Sequence, residues 1–121
     1  VVKALLDTNV LIDYLRGIQA ARDELSLYTG KAISIVTWME VMIGAPTAME
    51  RATQDFLDGF TLIELDQAVA ARAVALRRAH RLKLPDAIVW ASAQVHAMLL
   101  VTRDMKGFAA GDPGVRMPYR I

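Results

Sequence analysis

Lys3-Ala4-Leu5-Leu6-Asp7-Thr8-Asn9 is the stretch on which the reading of this chain turns. Residues 3–6 form a short, largely apolar run that ends on an acid. That predicts a buried strand with Asp7 at its C-terminal end. Residues 8–15 follow at once with Val10, Leu11, Tyr14 and Leu15 on a helical stripe, and Gly17 closes that helix.

Outward from this start the same alternation recurs. Residues 20–28 read as a second helix ended by Gly30, and the β-branched, apolar run 32–36 as a second buried strand. A helix over 37–45 is stopped by Pro46, and another over 48–57 by Gly59. Residues 60–65 read as a third strand. Asp66 then caps a long alanine-rich helix over 67–81, whose composition is explained by helix propensity. Pro85 and Asp86 open a helix over 87–98. Residues 99–102 are apolar without alternation, which suits a central strand covered on both faces. The tail is glycine- and proline-rich, with an edge strand expected over 115–117. Strands alternating with helices predict an α/β domain, a three-layer sandwich around a mainly parallel sheet.

Composition narrows the chemistry. At 121 residues the chain fits one domain. It has no cysteine, which removes disulfides, thiolate zinc sites and cysteine nucleophiles. Its two histidines, His80 and His96, have no partner at metal-ligand or triad spacing. Any metal must then be held by oxygen, which favours Mg²⁺, Mn²⁺ or Ca²⁺. A net charge of +1 is too small to argue nucleic-acid binding from totals. The cations do cluster, at Arg77, Arg78, Arg81 and Lys83 around His80. The longest apolar region, 87–101, contains Ser92, Gln94 and His96 and is too short and polar for a membrane span. No targeting segment is recognised, so a cytoplasmic location is expected.

Four acids stand where ligands bind in open α/β sheets, beyond the carboxyl ends of strands. Asp7 ends the first strand, Glu40 lies in the first turn of the helix after the second, Asp86 opens the helix before the fourth, and Asp104 follows the fourth. Each has a plain alternative. Asp7 serves as a helix cap, Glu40 sits three residues after Thr37 in capping-box spacing, Asp86 suits a helix N-terminus, and Asp104 can close a turn. Such caps stabilise by ~1 kcal/mol each. Capping does not, however, require buried strands beside the acids. Converging carboxylates are costly unless paired or metal-bound.

Taken in order, these residues carry a resemblance: Leu-Asp-Thr-Asn (6–9); Ser34, Thr37 and Glu40 with Gly44 four residues on; Leu-Pro-Asp-Ala (84–87) with Ala91; and Val-Thr-Arg-Asp (101–104) with Phe108. The chain resembles the PIN-domain ribonucleases, most closely the VapC-type toxins of bacterial toxin–antitoxin pairs, nearly end to end and including the tail over 113–119. The resemblance implies one PIN-like ribonuclease domain over residues 1–121, and a homodimer. It also implies one acidic pocket of Asp7, Glu40, Asp86 and Asp104 holding Mg²⁺ or Mn²⁺, RNA as substrate and a VapB-like antitoxin as partner. Two differences bear on the fourth position: Gly107 stands before Phe108 where many relatives carry an acid, and relatives often have asparagine at the position of Asp104.

In that reading Asp7 and Asp86 bind metal directly, Glu40 binds directly or through water, and Asp104 completes the set. Thr8, Asn9, Thr37 and Thr102 are short polar neighbours suited to orienting the acids. Arg103 is the best candidate for a phosphate contact, with pairing to an acid as its alternative. The basic run Arg77–Lys83 is suited to an RNA backbone, but cations matched to a helix C-terminus are the better explanation. Trp38, Met39, Met42 and Ile43 read as core or as a docking surface for a partner helix. Rival readings are a non-catalytic interaction module, a DNA nuclease, a haloacid-type phosphatase and a phospho-acceptor receiver. The phosphatase lacks its second aspartate, because Asn9 stands there, and the receiver lacks its acid pair.

Overall fold

The computed structural model describes residues 3–104, 108 and 111–121. Its strands are β1 (Lys3–Leu6), β2 (Gly30–Ser34), β3 (Thr61–Ile63), β4 (Leu99–Val101) and β5 (Val115–Arg116). They form one sheet in the order β3-β2-β1-β4-β5, every pair parallel. The helices are α1 (Thr8–Leu15), α2 (Gln19–Ser26), α3 (Ile35–Gly44), α4 (Glu50–Leu57), α5 (Gln67–His80) and α6 (Leu84–Val95), with a 3-10 turn over Thr47–Met49 before α4. None is long and apolar enough to cross a membrane.

The pleat sorts the strand residues between two cores. Leu5, Ala32 and Leu100 face one side, where they pack with Val69, Ala73, Leu76, Ala87, Val89 and Trp90 of α5 and α6. Ala4, Leu6, Ile33 and Val101 face the other, against Val10 and Leu11 of α1, Leu25 of α2, Val41 of α3 and Leu57 of α4. The sheet is thus sandwiched between helical layers, as the alternation predicts. Both faces of β1 and β4 are sealed, which is why neither strand alternates apolar with polar. Truncating Leu100, fully buried, to alanine is expected to cost about 2–5 kcal/mol.

The local differences from the sequence reading have physical causes. The second strand ends at Ser34, not at residue 36, because Ser34 turns the chain and its hydroxyl accepts the Val36 N–H at 3.1 Å. Ser34, and not Thr37, is therefore the cap of α3, so the Thr37–Glu40 spacing is no capping box. The last helix starts at Leu84 with Pro85 in its first turn, where a missing N–H costs nothing. It ends earlier than expected, as Ala97 takes a positive φ of 54°. α5 also stops one residue short, at Arg81 in the left-handed region with φ 54°. The guanidinium of Arg77 donates to the Leu82 carbonyl at 2.9 Å across this reversal, so one member of the basic run holds the chain turn.

Candidate active site

Strand order places the site. β1 and β4 lie side by side at the centre of the sheet, where the order reverses between β3-β2-β1 and β4-β5. A crevice at such a switch point, beyond the carboxyl ends of the strands, is where ligands bind in this architecture. Asp7 leaves the end of β1 and Asp104 follows the end of β4. The N–H of Asp7 donates to the Val101 carbonyl at 2.9 Å, continuing the ladder to the rim.

Asp7 is buried, with 6% of its surface exposed. One of its oxygens, Oδ1, accepts the Thr8 N–H at 2.8 Å, so the expected helix cap exists. The other, Oδ2, accepts the Thr102 hydroxyl at 2.8 Å, which ties β1 to β4. Burial pushes the Asp7 carboxyl up to about 6; the bonds from Thr102 and Thr8 oppose that, and the charges of Asp86 and Glu40 add to it. Asp86, in the first turn of α6, is half-buried. Its carboxyl is raised by burial and then by the charges of Asp104 and Glu40, with Lys83 acting the other way. Four acids from four separate segments therefore share one field.

The short polar residues tie the acids together. The Thr8 hydroxyl lies 2.7 Å from Glu40 Oε1 and 3.1 Å from the hydroxyl of Thr37, which is fully buried. The Thr102 hydroxyl, while donating to Asp7, accepts the Asp104 N–H at 3.1 Å and Asn9 Nδ2 at 3.3 Å. Asn9 Oδ1 in turn accepts the Arg103 N–H at 3.1 Å. Arg103 points its guanidinium at Asp13, which the sequence reading had not singled out: Nε donates to Oδ2 at 2.7 Å and Nη2 to Oδ1 at 3.3 Å.

Among the described residues no three acids or histidines are posed as a ready ligand set. Glu40 is turned toward Thr8, and each Asp7 oxygen holds a donor. Each oxygen keeps a second lone pair, however. A hard, all-oxygen donor set fits Mg²⁺ or Mn²⁺.

Sequence reasoning missed the buried acids Asp13 and Glu24 and the place of Lys83 beside Asp86. Asp13 carried a signal. It lies four positions after Asn9 on α1, hence on the same face, and both residues receive Arg103. Of the other cations, Arg78 and Arg81 are exposed. His80 is exposed and lies 5.1 Å from the Trp90 ring. The Gly107 difference falls outside the described residues.

The all-parallel α/β sandwich goes with a match in sequence: the chain belongs to the PIN-domain family, whose profile matches residues 4–111. Ribonuclease VapC10 of Mycobacterium tuberculosis is 36% identical over 112 residues, covering 86% of this chain and 84% of the relative. A chain of a toxin–antitoxin complex from Klebsiella pneumoniae superposes with a TM-score of 0.93 at 48% identity, covering 98% of this chain and all of that one. Within the PIN family the protein is thus of the VapC type. The fold alone extends to DNA-bound VapBC from Salmonella typhimurium, with a TM-score of 0.77 at 23% identity over 96% of each chain.

Proposed function

We propose that this chain is a divalent-metal-dependent endoribonuclease and the toxin of a toxin–antitoxin pair. The observation that carries the reading is the shared field of Asp7, Glu40, Asp86 and Asp104 at the switch point between β1 and β4. Asp7 and Asp86 are the direct ligands, with Glu40 and Asp104 completing the set around Mg²⁺ or Mn²⁺. A bound ion would neutralise charge on the scissile phosphate and acidify water there. The chain's own groups do the rest. Thr8 and Thr102 hold the Glu40 and Asp7 carboxylates in place. Asp7, with a carboxyl raised to about 6, is deprotonated near neutral pH and ready to ligate. Glu40, exposed at the rim, is the group positioned to take a proton from attacking water. Lys83, beside Asp86, offers a cation to the RNA backbone.

The partner is an antitoxin of the VapB kind, as in the VapBC complexes that this chain resembles, and the working unit is a homodimer. The surface supports a helical partner. A groove of about 440 Å³ lined by Ile12, Leu15, Val41, Pro46 and Met49 runs beside α3. Met39 and Ile43 of α3 are 45% and 84% exposed, while Trp38 and Met42 of the same helix pack on the core.

The test is incubation of the partner-free chain with a mixed RNA pool in Mg²⁺, Mn²⁺ or EDTA. Discrete fragments that need metal and vanish in Asp7→Asn are expected. A folded wild type that binds no divalent ion by calorimetry and cuts nothing would leave an interaction module.

A further inference from the structure

Beside the acid site, on the α1 side, lies a polar network that the proposed chemistry does not use. Asp13, in the last turn of α1, is 3% exposed. It holds Arg103 through both carboxylate oxygens and also accepts the Tyr119 hydroxyl at 2.8 Å on Oδ2. Tyr119 belongs to the C-terminal tail beyond β5. From Asp13 the network runs on without a break. Arg103 is fixed at its side chain by Asp13 and at its backbone N–H by Asn9. Asn9 is bonded to Thr102, whose hydroxyl bonds Asp7 and the Asp104 backbone. Arg103 is thus tied to α1 through Asp13 and Asn9, and Thr102 to α1 through Asn9 and to the end of β1 through Asp7.

We propose that Tyr119 is a positioning residue of the acid site, acting through Asp13 and Arg103 to fix the turn over residues 102–104 and with it the separation of Asp7 and Asp104. The proposal rests on the metal-site reading above. Arg103 is thereby a strut and not a free phosphate hook. A guanidinium held at two nitrogens by a buried carboxylate is rigid, and a strut beside a ligand sets the ligand's place. Removing the tyrosine hydroxyl leaves the Asp13–Arg103 pair intact but under-tethered, so the effect is on placement and not on folding.

A neighbouring group supplies the control. The Tyr28 hydroxyl donates to buried Glu24 at 2.6 Å, and Glu24 takes Arg116 at 2.7 and 2.9 Å. The chemistry is the same, a tyrosine on a buried acid that holds an arginine. Its arginine sits on β5 and not beside Asp104.

The experiment compares wild type, Tyr119→Phe and Tyr28→Phe by three readouts: Mn²⁺ affinity by calorimetry, RNA cleavage resolved into kcat and KM, and amide hydrogen exchange of residues 103 and 104 without metal. Tyr119→Phe is expected to weaken Mn²⁺ binding and lower kcat by about tenfold each. KM should hold, and the two amides should exchange about tenfold faster. Tyr28→Phe, which removes the equivalent bond, should leave all three readouts unchanged. Wild-type values for Tyr119→Phe, or equal changes in Tyr28→Phe, overturn the proposal. A wild type that binds no Mn²⁺ overturns the metal reading instead, and the exchange comparison then decides the strut by itself.

Discussion

Asp7 caps α1 and Asp13 lies within it, both are buried, and their surroundings are opposite. Asp13 sits against the guanidinium of Arg103, as Glu24 of α2 sits against that of Arg116. In that region each acid has its own cation: Glu24 is held below the usual carboxylate range, first by its bonds from Arg116, and Arg103 is raised, first by its bond to Asp13. At the sheet rim Asp7 meets two hydrogen-bond donors and the charges of Asp86 and Glu40, and no cation enters the balance that sets its carboxyl. One region is electrostatically settled. At Asp7 the neighbouring charges add to the cost of burial instead of offsetting it. Burial alone therefore does not mark a functional acid; burial without a counter-charge does.

The largest effect expected from this contrast is in Asp7→Asn. RNA cleavage should fall about a hundredfold or more, as a ligand is lost, while the melting temperature rises because a repelling charge has gone. A variant that melts lower, as one expects for Asp13→Asn, would break the contrast.

The second is a pH dependence of opposite sign in the two regions. Asp7, raised from 3.8 to about 6, binds a proton more tightly folded than unfolded. Its contribution to stability is present at low pH and is lost as pH climbs from about 4 to 6, by roughly 3 kcal/mol at most. Glu24, lowered, contributes stability above its unfolded value and loses it as pH falls through its folded one. Urea unfolding across pH 3–7 of wild type, Asp7→Asn and Glu24→Gln separates the two. The slope between pH 4 and 6 should flatten only in Asp7→Asn. Divalent binding should tighten as pH rises through about 6, since the ligand must lose its proton.

Third, Glu24→Ala should destabilise. A fully buried pair broken on one side costs about 3–5 kcal/mol, but Arg116 is 44% exposed and regains water, so about 1–2 kcal/mol is expected by urea unfolding. Smallest is Lys83→Ala, which removes the cation beside Asp86: a rise in KM for RNA of about threefold, with a shallower salt dependence.

The sandwich was legible because β1 and β4 are largely apolar and an acid follows each within three residues of its end, a pattern that needs no tertiary information. The meeting of the four acids was legible only through their order and neighbours, since nothing in the spacing of Asp86 shows that α6 points its N-terminus at the crevice. Where α3 begins was misread because Ser34 and Thr37 both suit a cap, and only backbone geometry separates them. Tyr119 and the arginine partners of Asp13 and Glu24 stayed hidden because those pairs are remote in sequence. A lone acid on a helix gives no hint that an arginine from β5 or the turn after β4 will cover it.

The pairing of β1 with β4 has a consequence in time. On one side β1 pairs with β2, which follows it soon in the chain. Its neighbour on the other side, β4, comes much later: Leu5 aligns with Leu100, and the bond from Thr102 to Asp7 joins residues 95 positions apart. Contacts of such long range form late. A nascent chain still lacking residues 99–104 has β1 paired on one edge only, with Asp7 and Asp104 in no shared crevice. The four acids therefore cannot gather until β4 has been made and has docked on β1: the cluster is a late product of folding and not a property of the first strand and helix.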